Sequence, residues 1–201
     1  RYPVALRQLA KAVALLRKNS EKWHIQKDKI IVMGFSAGGH LAGSLGVFWN
    51  TPELAGEAGY TSEEIRPNGM ILCYPVITSG EYAHGGSFRN LLGDRYGELK
   101  DKMSLEKQVT KDTPKAFIWH TFEDDTVLPD NTLLFVNALY KKGIPAEYHL
   151  FPDGKHGIGL GDERTANDNG RGIVKACRTW SDLAGKWLER EFPWWTGEKV
   201  D

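Results

Sequence analysis

The chain has 201 residues, with 26 lysines and arginines against 26 aspartates and glutamates, so its formal net charge is zero. Hydrophobic residues make up 41% of it, which is typical of a globular domain. Without a positive charge excess or a basic block, the chain lacks the attraction that dominates nucleic-acid binding. Its longest apolar runs are far shorter than the ~20 residues that cross a bilayer. We therefore expect neither a nucleic acid nor a membrane as a partner.

The two cysteines, Cys73 and Cys177, lie far apart in segments of different types, so they form neither a disulfide framework nor a metal-binding spacing. We expect both to be buried as small apolar residues. No N-glycosylation acceptor is present in the sequence. These features of the cysteines and of the asparagines favour a cytoplasmic location. No cluster of residues predicts a metal ion or a cofactor, and we expect none.

The hydrophobic pattern alternates between helical and strand periods along the chain. Leu6, Leu9, Val13 and Leu16 recur at spacings of three and four, which predicts an amphipathic helix. Short apolar runs that end at glycine or proline predict buried strands, and the last run alternates more, which places it nearer an edge. The predicted order is helix 3–19, strand 29–33, helix 40–49, strand 69–74, strand 115–120, helix 131–142, strand 146–151 and helix 173–191.

Strands that alternate with helices of this length indicate an α/β fold with a mostly parallel sheet and helices on both faces. No repeat or low-complexity segment divides the chain, so we expect one domain over residues 1–201. The segment 77–113 breaks the alternation, because it is long, glycine-rich and charged, with short helical pieces near 88–92 and 104–109. Insertions of this kind often form lids or pocket walls.

A G-x-S-x-G motif, Gly34-Phe35-Ser36-Ala37-Gly38, lies where a predicted strand ends and a helix begins. A serine on so tight a turn needs strained backbone angles, and the flanking glycines relieve the clashes. The turn raises the Ser36 hydroxyl above the sheet and lets the Ala37 N–H donate to an oxyanion. The alternative is a glycine-rich turn with an incidental serine. The strand before it and the helix after it favour a nucleophile.

A serine nucleophile needs a base, and the base needs an acid that orients it. On a strand-turn-helix elbow of this kind the chain order is serine, acid, histidine. His156 lies in a turn-rich loop just after the last predicted strand, where the base belongs, whereas His149 lies inside that strand. The acidic run Glu123-Asp124-Asp125 follows the third predicted strand and must supply the acid.

Four blocks of the sequence resemble α/β-hydrolase-fold serine esterases of the acetyl esterase and acetylxylan esterase group. The resemblance implies Ser36 as the nucleophile, His156 as the base and Asp124 as its orienting acid. The spacing from His120 to Asp124 is similar to the acid loop of many serine esterases, and Asp125 is the alternative. The blocks are residues 32–42 (VMGFSAGGHLA), 119–124 (WHTFED), 131–135 (NTLLF) and 151–157 (FPDGKHG).

The resemblance implies a serine carboxylic-ester hydrolase that forms an acyl-enzyme on small acyl esters, often acetyl groups on sugars or xylo-oligosaccharides. Two other functions stay open. A peptidase of the prolyl-oligopeptidase type shares the three residue types and their order but usually carries a large extra domain. A catalytically inactive hydrolase-fold binding module would keep the motifs only as architecture. The expected partners are a small-molecule ester and either a second copy of the chain or a companion N-terminal segment.

The family has further strands and a glycine-rich oxyanion loop upstream of the first helix seen here, so we expect an N-terminally incomplete hydrolase. Either strands from other polypeptide or an exposed apolar edge should flank strand 29–33, and the second oxyanion donor should lie on that polypeptide.

The run 84–87 (HGGS) mimics an oxyanion loop but is interpreted as a flexible pocket loop. His40 is interpreted as a satisfied helix histidine, and the aromatic run 192–195 as a cap over the core.

Overall fold

The computed structural model describes residues 1–170 and 172–193, in which helices and strands alternate as predicted. Strands β2, β3 and β4 start at the predicted residues and β1 starts two residues late. The elements are α1 (Val4–Lys18), β1 (Ile31–Phe35), α2 (Ala37–Phe48), α3 (Pro52–Ala58), α4 (Ser62–Ile65), β2 (Gly69–Cys73), α5 (Gly85–Leu92), α6 (Tyr96–Leu99), β3 (Lys115–Thr121), α7 (Asp130–Lys141), β4 (Ala146–Phe151) and α8 (Trp180–Glu191), with 3-10 turns at Gly93–Arg95, Leu105–Lys107 and Lys175–Cys177.

Within the described residues, the strands form one parallel sheet in the order β1, β2, β3, β4. Val32 of β1 lies opposite Met70 of β2, which lies opposite Ala116 of β3. The interior strand β2 is buried throughout, and β4 lies at an edge, as its alternating pattern predicts. Because all strands run in one direction, the loops after them meet along the carboxyl edge of the sheet.

Helices cover both faces of the sheet, so the prediction of a mostly parallel α/β sheet is confirmed. Helices α1, α2 and α7 contribute to one apolar cluster with alternate residues of the strands. On the other face, Trp180 and Trp187 of α8 pack with Phe117 and Trp119 of β3. The rings of Trp119 and Trp180 are stacked with their centroids 5.2 Å apart. The side chains of both cysteines are free and buried, as expected.

Strand β1 is less buried than its apolar sequence predicts. In the described part of the chain it pairs with β2 alone, and Met33 is 54% exposed. The prediction of a strand buried on both faces is therefore wrong at Met33. The unpaired edge of β1 among the described residues is one of the two outcomes expected for this strand. An open strand edge of this kind presents unpaired backbone N–H and C=O groups to its surroundings.

Three helix predictions need correction. The last helix begins at Trp180 rather than near 173, because Val174 is extended, donates its N–H to Gly161 O at 2.9 Å and is followed by a 3-10 turn at Lys175–Cys177. On α1 the small residues Ala10 and Ala14 are buried, whereas Leu16 is 37% exposed. Helices α3 and α4 were not predicted, although α3 has a proline in its first turn and α4 a complete capping box.

Buried polar contacts attach the segment 77–113 to helix α7. Asn131 of α7 accepts the N–H groups of Ile77 and Thr78 at 2.8 and 3.0 Å and donates to Tyr82 O at 3.0 Å. The interpretation of residues 84–87 as a flexible loop is wrong, because the ring of His84 caps α5 and accepts from the backbone of Ser87. Since α5 starts there, these residues form a helix terminus.

The C-terminal end of the described residues packs over the core. Phe192 is buried against Trp187, as expected of a cap over the core, while Trp194 and Trp195 lie outside the described residues. Among residues 1–170 and 172–193, no helix is both long enough and apolar enough to span a membrane.

Candidate active site

Ser36 lies between β1 and α2 in a strained backbone conformation, with φ 53° and ψ −119°. Its N–H donates to Cys73 O at 3.0 Å, and its carbonyl accepts from Val76 N–H at 3.2 Å. The turn is so tight that a Cβ on Gly34 would overlap the carbonyl of Gly38. Strain of this kind persists only where surrounding contacts enforce it, and it is characteristic of functional sites.

Three side chains from three loops at the carboxyl edge form an unbroken series of hydrogen bonds. The Ser36 hydroxyl donates to His156 Nε2 at 2.7 Å. His156 Nδ1–H donates to Asp124 Oδ2 at 2.6 Å. Ser36 follows β1, Asp124 follows β3 and His156 follows β4. The structure therefore brings together the three residues that the sequence singles out, in the geometry of a nucleophile, a base and an orienting acid.

Asp124 is buried, and both of its oxygens accept hydrogen bonds. Oδ1 accepts from the N–H groups of Thr126 and Val127 at 3.0 and 2.9 Å, and Oδ2 accepts from His156 and His120. Burial by itself raises the pKa of this carboxyl, but the hydrogen bonds from His120, His156 and Val127 outweigh it and hold the pKa well below its usual range. Asp124 is thus a carboxylate whenever the protein is folded near neutral pH.

The alternative acid, Asp125, has a different environment. Its exposed carboxylate accepts from Lys155 Nζ at 3.1 Å and makes no contact with His156 in the structure. His149, which the sequence assigned to a strand, lies in β4 and donates to Glu147 at 2.8 Å. Of the candidate acids and bases, Asp124 and His156 are therefore the two that lie in the series of hydrogen bonds with Ser36.

Sequence reasoning missed the role of His120 in this site. Its side chain is fully buried, and its Nε2 lies 3.1 Å from Asp124 Oδ2 and 2.8 Å from Val127 O. The signal in the sequence is the spacing of four residues between His120 and Asp124 across the end of β3. Spacing alone did not show that the two side chains touch.

The residue predicted as an oxyanion donor, Ala37, lies at the N-terminus of α2. Ala37 is the first residue of the helix, so its N–H has no acceptor within the helix and lies at the positive end of the helix dipole. A second donor on a companion N-terminal segment stays a prediction. No group of three or more potential metal ligands was found among residues 1–170 and 172–193.

Two cavities lie beside the site that Ser36, Asp124 and His156 form. One of about 290 Å³ lies between α1, α2 and α5 and is almost wholly apolar. Its wall includes Ala37 and His40. Burial lowers the pKa of His40 to about 4, so the ring of this histidine is neutral. His40 Nδ1–H donates to Val76 O at 3.0 Å, while Nε2 has no partner, so the expectation of a satisfied histidine holds for one ring nitrogen. The second cavity, of about 630 Å³, is more polar and is lined by His156, Glu123, Asp153, Lys155, Asn167 and others.

Comparison with known proteins decides the family. A model of the BD-FAE family matches residues 1–139, which include Ser36 and Asp124. The chain belongs to the BD-FAE family. It is 44% identical over 164 residues to endo-1,4-beta-xylanase B of Butyrivibrio fibrisolvens, a match over 79% of the chain and 25% of that protein. It is 30% identical over 156 residues to an acetylxylan esterase of Xylanibacter ruminicola, over 73% of the chain and 29% of that protein.

Solved structures agree with this membership. The chain superimposes on the acetyl ester-xyloside bifunctional hydrolase of Caldicellulosiruptor lactoaceticus with a TM-score of 0.80 and 36% identity, covering 94% of the chain and 66% of that protein. The α/β-hydrolase fold and the resemblance to serine esterases are therefore confirmed, and this BD-FAE chain has hydrolases acting on esters among its relatives. The chain spans about a quarter of the length of the curated relatives it matches.

The glycines of the elbow allow a matched test of its geometry. Gly34→Ala should destabilise the protein by about 3 kcal/mol or more, since its Cβ meets backbone that must shift. Gly38→Ala, in the same motif, meets nothing within 4 Å and should leave stability unchanged or raise it by about 0.5–1 kcal/mol. Urea unfolding followed by circular dichroism measures both. Equal stabilities for the two variants would contradict the tight elbow.

Proposed function

We propose that this chain is the catalytic part of a serine carboxylic-ester hydrolase that acts through an acyl-enzyme on small acyl esters. Its preferred substrates are acetyl esters of sugars or xylo-oligosaccharides. The observation that carries the proposal is the series of hydrogen bonds from the Ser36 hydroxyl through His156 to Asp124, at 2.7 and 2.6 Å. An acetylxylan esterase and a xylanase among the relatives support a carbohydrate ester as the substrate.

The first half of the reaction forms the acyl-enzyme. Ser36 Oγ attacks the ester carbonyl carbon while His156 Nε2 takes the hydroxyl proton. The negative charge that develops on the carbonyl oxygen is stabilised by the Ala37 N–H. Asp124 stabilises the imidazolium and keeps Nδ1 protonated, so that Nε2 faces the serine. The imidazolium then gives its proton to the departing alcohol, and the acyl group stays on Ser36.

The second half returns the free enzyme. A water molecule replaces the alcohol and attacks the acyl carbon, and His156 Nε2 takes one of its protons. Collapse of the second tetrahedral intermediate returns that proton to Ser36 Oγ and releases the carboxylic acid. The same three residues therefore serve both halves, with His156 as base and then acid each time.

Ser36→Ala should lower kcat by about 10⁶ while leaving the fold intact, because it removes the attacking oxygen. The measurement is hydrolysis of p-nitrophenyl acetate and of acetylated xylo-oligosaccharides by the purified proteins. Ser181→Ala is the control, since this serine is exposed on α8 far along the chain from the elbow. More than a few per cent of activity in Ser36→Ala would refute the assignment of the nucleophile.

The two neighbouring aspartates give a second test. Asp124→Asn should lower kcat by about 10⁴, because an amide at this position favours the wrong imidazole tautomer. Asp125→Asn should change kcat by less than about threefold, since it loses only an exposed contact with Lys155. Circular dichroism confirms that both variants are folded. The reverse ranking of the two activities would move the acid to Asp125.

The other functions have distinct outcomes in the same assays. Cleavage of peptide anilides in preference to esters would indicate a peptidase of the prolyl-oligopeptidase type. Labelling by a serine-reactive phosphonate without turnover of any ester would indicate either an N-terminally incomplete hydrolase or a binding module. A cytoplasmic location, and a partner that is a second copy or a companion N-terminal segment, stay predictions.

A further inference from the structure

His120 is the penultimate residue of β3, and its side chain is fully buried beside the acid loop. Its Nε2 lies within hydrogen-bond distance of two oxygens, Asp124 Oδ2 at 3.1 Å and Val127 O at 2.8 Å. A carboxylate and a carbonyl oxygen only accept hydrogen bonds, so Nε2 must carry the proton and share it between them.

The other ring nitrogen of His120 has a different environment. Nδ1 of His120 is buried and has no hydrogen-bond partner. The hydrogen bonds of this ring therefore all run through Nε2, which supplies one donor to the oxygens of Asp124 and Val127.

This donor acts on the oxygen that faces the base. Asp124 Oδ1 is held by the N–H groups of Thr126 and Val127, which leaves the direction of Oδ2 to be set by other contacts. Oδ2 accepts from His156 Nδ1 at 2.6 Å and from His120. The contact with Val127 O also attaches the acid loop to the end of β3.

We propose that His120 is a positioning residue, whose Nε2–H holds the Asp124 carboxylate in the plane that His156 Nδ1 requires. This inference rests on the proposed function for its effect on turnover. The other titratable groups close to Asp124 are Asp125, which binds Lys155, and Tyr74, whose pKa burial raises to about 12. Neither donates a hydrogen bond to Asp124 in the structure.

The kinetic test compares two substitutions at one position. His120→Phe removes the donor and should lower kcat about 10- to 100-fold with KM changed less than about twofold, because the acid that orients His156 is then misplaced. His120→Gln can place an amide N–H near the position of Nε2 and should recover most of this loss. His149→Phe, which removes a histidine from the neighbouring strand away from the site, should keep full activity.

A double-mutant cycle shows whether His120 acts through Asp124. In an Asp124→Ala background, His120→Phe should lower the remaining kcat by less than about twofold, because its partner is already absent. A double variant whose loss of kcat equals the product of the two single losses would overturn the proposal and assign His120 a merely structural role.

A measurement without substrate separates this inference from the proposed function. The His156 Nδ1–H proton, which lies in a 2.6 Å hydrogen bond to Asp124 Oδ2, should give a far-downfield proton NMR signal that moves upfield in His120→Phe, because a carboxylate that has turned away accepts this bond less well. The signal should return in His120→Gln. A signal at an unchanged position in His120→Phe would overturn the inference. This result stands even if Ser36→Ala shows that the chain is not an esterase.

Discussion

The backbone of Ser36 is the constraint on which the site depends. A serine at φ 53° is strained, and the conformation persists because β2 and the start of α2 hold it on both sides. The same turn places the Ser36 hydroxyl within 2.7 Å of His156 Nε2 and starts α2 at Ala37. Glycine at position 34 is a condition for this turn, because any side chain there would meet the backbone of Gly38. One local backbone conformation therefore fixes both the Ser36 hydroxyl and the Ala37 N–H, the two groups to which the proposed function assigns the attack and the stabilisation of the oxyanion.

The electrostatics of the site follow from a balance between burial and hydrogen bonding at Asp124. Burial opposes a charged carboxylate, and four donated hydrogen bonds more than compensate. An ionised acid in a sheltered position can stabilise a positive charge on His156 without competition from water. Asp125, one residue further, is exposed and pairs with Lys155, so the two carboxylates have different environments.

Much of the fold could be predicted because its signals are local. Apolar runs ending at glycine or proline marked the strands, and the motif around Ser36 marked the strand-to-helix turn. The order of Ser36, Asp124 and His156 followed from the elbow and from a family resemblance that the family match has confirmed. The features that the sequence did not predict depend on tertiary contacts. The exposure of Met33 depends on what lies beside β1, and the contact of His120 with Asp124 depends on how the acid loop folds back over β3. The late start of α8 reflects the extended conformation of Val174, whose N–H donates to the carbonyl of Gly161 earlier in the chain.

The most direct test of the account is to locate the reactive serine chemically. The protein is treated with a serine-reactive phosphonate, and intact mass and peptide mapping then identify the adduct. The account predicts one adduct for each chain, attached to Ser36, and labelling that is strongly slowed in His156→Ala because the hydroxyl has lost its base. Labelling at another serine, or equally fast labelling when His156 is absent, would contradict it.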